Sequence, residues 1–224
     1  MRAPVGVDVM PRNNDDPRPP VFLPHNEPYL GEAALLEFDH AIPRAMRINT
    51  QLAQGTFDRE LSPIQQAAAQ LVPQAVSIAL SVRELIRQGY LFSAALLLRP
   101  LIERVGLLEY LRLYPDAVQA WHDGWPRREQ PSLQTLLETA SQIETSSSDD
   151  LRYFANVLHK LVHPDPTGAL WNMITRQDGK PAFSSGKILD DPTLCDFVSV
   201  TGSRFLSLTI SIAEKIFGGS KAVA

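Results

Sequence analysis

In the stretch LRYFANVLHKLVHPDP, residues 151–166, Arg152, Asn156, His159 and His163 follow one another at spacings of four, three and four. Each side chain has a chemical use. A guanidinium holds a permanent charge and grips a phosphate in bidentate fashion. An imidazole titrates near neutral pH and exchanges protons, and an amide both donates and accepts. A pair of histidines at i, i+4 is also the spacing of helical zinc ligands. HKLVH nevertheless lacks the glutamate of the HExxH pattern, and Asp165 follows only after Pro164. A metal centre is therefore not assigned. Three readings stay open at this level: a solvated face, a metal clamp, or the working stripe of an enzyme.

These residues are useful together only if a helix aligns them. At about 100° per residue, with Arg152 at zero, Asn156 falls near 40°, His159 near 340° and His163 near 20°, all on one narrow face. Phe154, Leu158, Leu161 and Val162 fall on the opposite side, which gives the helix an apolar face for a core. Tyr153 and Lys160 lie off the stripe. Histidine and asparagine are unusual filling for an exposed helix face, where Glu, Lys and Gln prevail.

A second polar feature sits inside LLLRPLIERVGLLEYL. Arg99 and Glu103 are four residues apart on a segment that is apolar nearly all round. That predicts burial of at least one of them, as an ion pair on adjacent turns. The structural reading is a brace between helices; the functional one has Arg99 or Glu103 reaching a phosphate or orienting a histidine. Pro100 is expected to free a carbonyl and kink the helix.

The remaining elements follow from local signals. Residues 1–28 carry seven prolines and read as a flexible tail, with a single domain over 29–219. A helix is expected from Gly31 to Gly55, kinked or broken at Pro43. Ser62-Pro63 opens a second helix that is kinked at Pro73 and stopped by Gly89. A third covers 90–113, and Pro115-Asp116 starts a short fourth, where Trp121, His122 and Trp125 read as anchors of a helix and turn. Arg127-Arg128 is an exposed basic pair. Ser132 caps a fifth helix running to Glu144, and Ser141–Ser148 reads as helix end and linker. Asp149 or Asp150 caps the sixth. Residues 164–190 form an insertion pinned by Trp171, with a small hairpin turning at Asp178-Gly179. Asp191-Pro192 opens a final helix closed by Gly218-Gly219. The fold class is all-α, a bundle of five or six helices.

Bulk properties narrow the function. The 224 residues are 44% hydrophobic and 21% charged, ordinary globular values. A net charge of −4 disfavours broad non-specific nucleic-acid binding. The single cysteine, Cys195, excludes an intrachain disulfide and CxxC metal sites and reads as a small packed residue. The apolar run at 90–98 is far shorter than a membrane span, and no signal-peptide core is present at the start, so a cytoplasmic protein without membrane association is expected.

GYLFSAALLLRPLIERV (89–105) and YFANVLHKLVHPDP (153–166), set in a helical bundle, resemble the HEPN-like superfamily, named for higher eukaryotes and prokaryotes nucleotide-binding. The resemblance is to bacterial helical families with an LxRxLxE helix and a later Y…HP helix, and it covers roughly residues 60–217. It implies a dimer whose motif helices face each other, binding RNA, a nucleotide or a protein partner such as an antitoxin, in bacterial stress or defence systems. No cofactor is implied. The alternative implication is a metal-independent ribonuclease, toxin or phage-defence effector. His159 would then act on the ribose hydroxyl or the leaving oxygen and Arg152 would steady phosphate charge, with Asn156 and His163 supporting. Arg99, Glu103 and Tyr153 are the binding or structural polar positions.

Overall fold

The computed structural model describes residues 27–126, 129–141, 148–163, 166, 173–175, 178–183 and 186–218. Within them lie seven helices: α1 Ala33–Thr56, α2 Pro63–Arg87, α3 Leu91–Leu113, α4 Ala117–His122, α5 Leu133–Ser141, α6 Ser148–Val162 and α7 Pro192–Gly218. A single antiparallel hairpin joins β1 Met173–Thr175 to β2 Pro181–Phe183, with Ile174 opposite Ala182. It turns at Asp178-Gly179, where Gly179 has φ +77° and the Asp178 carboxylate accepts from the Lys180 amide. The all-α class is thus observed, and the six-residue α4 brings the helix count to seven among the described residues.

Several helix starts are written in single side chains. Ser62 and Gln65 form a reciprocal capping box before α2, Ser132 Oγ accepts from the Thr135 amide before α5, and Asp191 accepts from the Leu194 amide before α7; each satisfies a donor that the helix leaves orphaned. Gly89 (φ +77°) ends α2. The start of α6 differs from expectation. The helix begins at Ser148, so Asp149 and Asp150 sit inside the first turn rather than at the cap, where the helix dipole favours them. The expected break at Pro43 does not occur. α1, α2 and α3 run on through Pro43, Pro73 and Pro100, because buried side chains on both sides of each proline hold the helix despite one lost backbone bond.

α1, α2, α3 and α7 pack against one another as the central bundle. α3 is its axis: Leu98, Leu101, Ile102, Val105 and Leu108 are all fully enclosed, as expected of a helix apolar on every side. α5 packs on the free flank of α3 and α6 packs on both, while α4 rests against α2. Gly106 permits the α3–α5 approach, since a Cβ there would lie 2.7 Å from Leu136 Cβ and 2.8 Å from its carbonyl oxygen.

Glu27 belongs to this packed body rather than to the tail in which the proline content placed it. Its carboxylate takes two 2.8 Å hydrogen bonds from Arg83 of α2, which also bonds Asp39 of α1. Burial opposes the Arg83 charge, but the bonds to Glu27 and Asp39 outweigh it and hold the guanidinium pKa above the ordinary arginine value. Two residues on, buried Tyr29 donates to the Ile188 carbonyl at 3.0 Å and accepts from the Asp191 amide at 3.1 Å. The Ile188 amide in turn donates to the Gly89 carbonyl. The start of the packed chain is thereby fastened to α2 and to the segment leading into α7. No helix among the described residues is long and apolar enough to cross a membrane.

Candidate functional site

α6 is rotationally fixed by its apolar face. Leu151, Leu158 and Leu161 are buried, and Phe154 meets Phe197 of α7 edge-on at 6.2 Å between ring centres. With that face turned inward, Arg152, Asn156 and His159 have only solvent to face, and all three are exposed. His163 lies one residue past the helix, yet its amide still donates to the His159 carbonyl at 3.0 Å, so the backbone keeps its helical course and the stripe is complete. Val162, grouped with the apolar side by its angle, is 43% exposed; at the last turn the underlying elements no longer cover it.

The stripe has internal contacts. The imidazoles of His159 and His163 lie 4.1 Å apart between ring centres, tilted by 46°. Arg152 Nη2 donates to Asp149 Oδ1 at 2.7 Å, with both side chains mostly in water. Such an exposed pair is worth about 0.2–1 kcal/mol, so the guanidinium exchanges partners cheaply. Arg152 and His159 are separated by about 10 Å of helix rise, a distance that a phosphodiester backbone lying along the face spans between the two groups. The stripe residues line none of the clefts between α2 and α5, between α1 and α2, or between α5 and α7. The face is open, and enclosure of a reacting group there requires another surface. Tyr153, 73% exposed, and Val162 border it.

Among the described residues no group of three or more His, Cys, Asp and Glu side chains is placed to hold a metal ion. His159 and His163 are a pair without a third protein ligand there; Asp165 lies outside the described residues, as do Arg127, Arg128, Trp171 and residues 1–26 of the expected tail. Cys195 is fully buried against Ser199, 3.8 Å between Sγ and Oγ. Burial pushes its thiol up to about 11, so it is a packed residue and not a nucleophile.

Arg99 and Glu103 form the expected ion pair, 2.8 Å between Nε and Oε1, with both side chains half-buried. Arg99 Nη1 is enclosed without a hydrogen-bond partner. Neither residue bonds to the stripe, so Glu103 steadies Arg99 and orients no histidine. The fully buried acid of α3 is instead Glu109, which takes two 2.7 Å bonds from Arg112. Its i, i+3 spacing was a readable signal. The Glu27–Arg83–Asp39 cluster had none, since Arg83 lies 44 residues from Asp39 and 56 from Glu27.

Sequence reading also missed a mixed aromatic and polar cleft of about 280 Å3, bounded by α2, α3, α4 and α5. Trp121 and Trp125, expected only to anchor a turn, form part of its wall, with Glu103, Arg104, Gln74 and Gln130. No protein-family model, curated protein or solved structure matches the chain.

Proposed function

We propose that the chain is an HEPN-like helical module that binds RNA or a nucleotide through the outer face of α6, with two copies pairing across that face. The observation that carries this reading is the alignment of Arg152, Asn156, His159 and His163 on one exposed face, fixed by burial of Leu151, Leu158 and Leu161. A guanidinium bonded to an exposed carboxylate, followed by an amide and two imidazoles in tilted contact, offers successive phosphate and base contacts along a strand. Tyr153 and Val162 beside the stripe supply apolar area to a second copy, whose own stripe closes the open side. The setting implied by the resemblance is the bacterial cytoplasm, in a stress or defence system with a protein partner such as an antitoxin.

A second reading is favoured by one observation: Arg152 and His159 share a face with six residues between them, the outer limit of the arginine–histidine spacing that the resemblance implies for a metal-independent ribonuclease. In the paired assembly His159 would move the proton of the ribose hydroxyl or leaving oxygen, and Arg152 would hold the phosphate. Labelled single-stranded RNA distinguishes the two. Fluorescence anisotropy is expected to show saturable binding that Arg152→Gln and His159→Ala weaken, while light scattering shows a dimer. Cleavage in EDTA that both variants abolish, with folding intact, selects the ribonuclease. Absence of both binding and cleavage refutes the reading as a whole.

A further inference from the structure

The cleft between α3, α4 and α5 is separate from the α6 stripe and carries its own chemistry. Trp121 on α4 and Trp125 just beyond it are half-buried, packed on the core, and present in its wall. Trp125 has φ +36°, a left-handed conformation that a bulky side chain adopts at a cost of order 1–3 kcal/mol. Gly124 before it is also left-handed, the Trp125 amide is secured to the Ala120 carbonyl at 2.8 Å, and Tyr110 meets the indole edge-on. The chain accepts a strained residue there and fixes its ring in place.

Two polar groups at the same cleft are incompletely used. Arg104 gives Nε to Gln74 Oε1 at 3.0 Å and Nη1 to the Pro100 carbonyl at 2.9 Å, both neutral acceptors. Among the described residues its charge has no carboxylate partner and its Nη2 makes no bond. Glu103 spends Oε1 on Arg99 and, with its side chain 38% exposed, makes no second bond among the described residues. One fixed donor and one fixed acceptor, beside two indoles, match a planar ring that presents an acceptor and a donor side by side.

We propose that this cleft binds a neutral planar heterocycle with a lactam edge, the class that includes oxopurines. The ring packs on the indoles, Glu103 accepts from the ring N–H, and Arg104 donates to the neighbouring carbonyl. The volume of about 280 Å3 falls just below the range of drug-sized sites, roughly 300–1,000 Å3, which suits a ligand no larger than a bicyclic ring. A simple planar anion fits less well, because Glu103 repels it.

The test uses the full chain with hypoxanthine, 1-methylhypoxanthine and benzoate, read by calorimetry and by tryptophan fluorescence. Hypoxanthine is expected to bind saturably with a dissociation constant below about 1 mM and to quench the indoles. Blocking the ring N–H in 1-methylhypoxanthine, or changing Glu103→Gln, is expected to weaken binding about tenfold, since either removes the bond from the ring N–H to the carboxylate. Trp121→Phe is expected to reduce the quench, and Arg152→Gln to leave hypoxanthine binding unchanged, which separates this site from α6. The near-isosteric Glu103→Gln keeps its bond to Arg99, and an unchanged melting curve verifies its fold. No hypoxanthine binding up to about 5 mM, tighter binding of benzoate, or equal affinity of Glu103→Gln overturns the proposal.

Discussion

Replacing Arg83 by methionine tests how the start of the packed chain is held. The Glu27 side chain is 4% exposed and Arg83 15%, so their fork of two 2.8 Å bonds is nearly dry, whereas Asp39 is 34% exposed. Arg83→Met leaves Glu27 charged, enclosed and without a cation. Removing one partner of a buried pair costs about 3–5 kcal/mol. Glu27→Gln is milder, because Asp39 still neutralises Arg83 and the amide keeps one acceptor; converting a charge-assisted bond to a neutral one costs about 1–2 kcal/mol. Asp39→Asn, at a wetter site, costs less than about 1 kcal/mol. The double variant Glu27→Gln/Arg83→Met should recover part of the single Arg83→Met loss. Urea unfolding followed by far-ultraviolet dichroism, extrapolated linearly, measures all four. A loss below about 1 kcal/mol for Arg83→Met, or a larger loss for Glu27→Gln, refutes the picture of a dry charge held by its partner.

Other outcomes are equally specific. Asp149→Asn frees Arg152 from its exposed partner and should tighten RNA binding by about two- to fivefold, while Arg152→Gln should lower the salt dependence of log K by about 0.7. Cys195 should stay unreactive toward a thiol reagent at neutral pH in the folded chain and react in full on unfolding, because burial holds its thiol up near about 11. Burial likewise pushes Tyr29 up to about 12 from 10. Its neutral form is favoured in the fold, so its contribution is complete below pH 10 and is lost as pH rises from about 10 to 12, a difference of about 2–3 kcal/mol; Tyr29→Phe should flatten that part of the pH–stability curve. Gly106→Ala should destabilise by about 1–3 kcal/mol through the clash with Leu136, visible as a lower melting temperature.

The legible parts of the fold were those decided within a few residues. Ser62, Gly89, Ser132, Asp191 and the Asp178-Gly179 turn each act on their own neighbourhood, and each stands where expected. The α6 stripe was legible for the same reason: helical periodicity places Arg152 and His159 together without reference to the rest of the chain. Pairings between distant elements were not legible. Nothing near Glu27 in sequence announces Arg83, and a proline-rich context argued against packing. The Trp125 cleft needs α2, α3, α4 and α5 at once, and the left-handed backbone of a tryptophan runs against local preference. Proline misled again at Pro43, where propensity yielded to the burial of Phe38, Ala41, Ile42 and Ala45 around it.

The Tyr29 hydroxyl joins residues 159 positions apart, and this has a bearing on biosynthesis. While the polypeptide is still being translated, the segment that receives this hydroxyl emerges from the ribosome long after α1 does. The N-terminal end of α1 is held to α2 through Glu27, Asp39 and Arg83, while its second clasp waits through most of elongation. Only when residues 188–191 arrive can the Tyr29 clasp form, and α7, which follows at once, then docks against α1, α2 and α3.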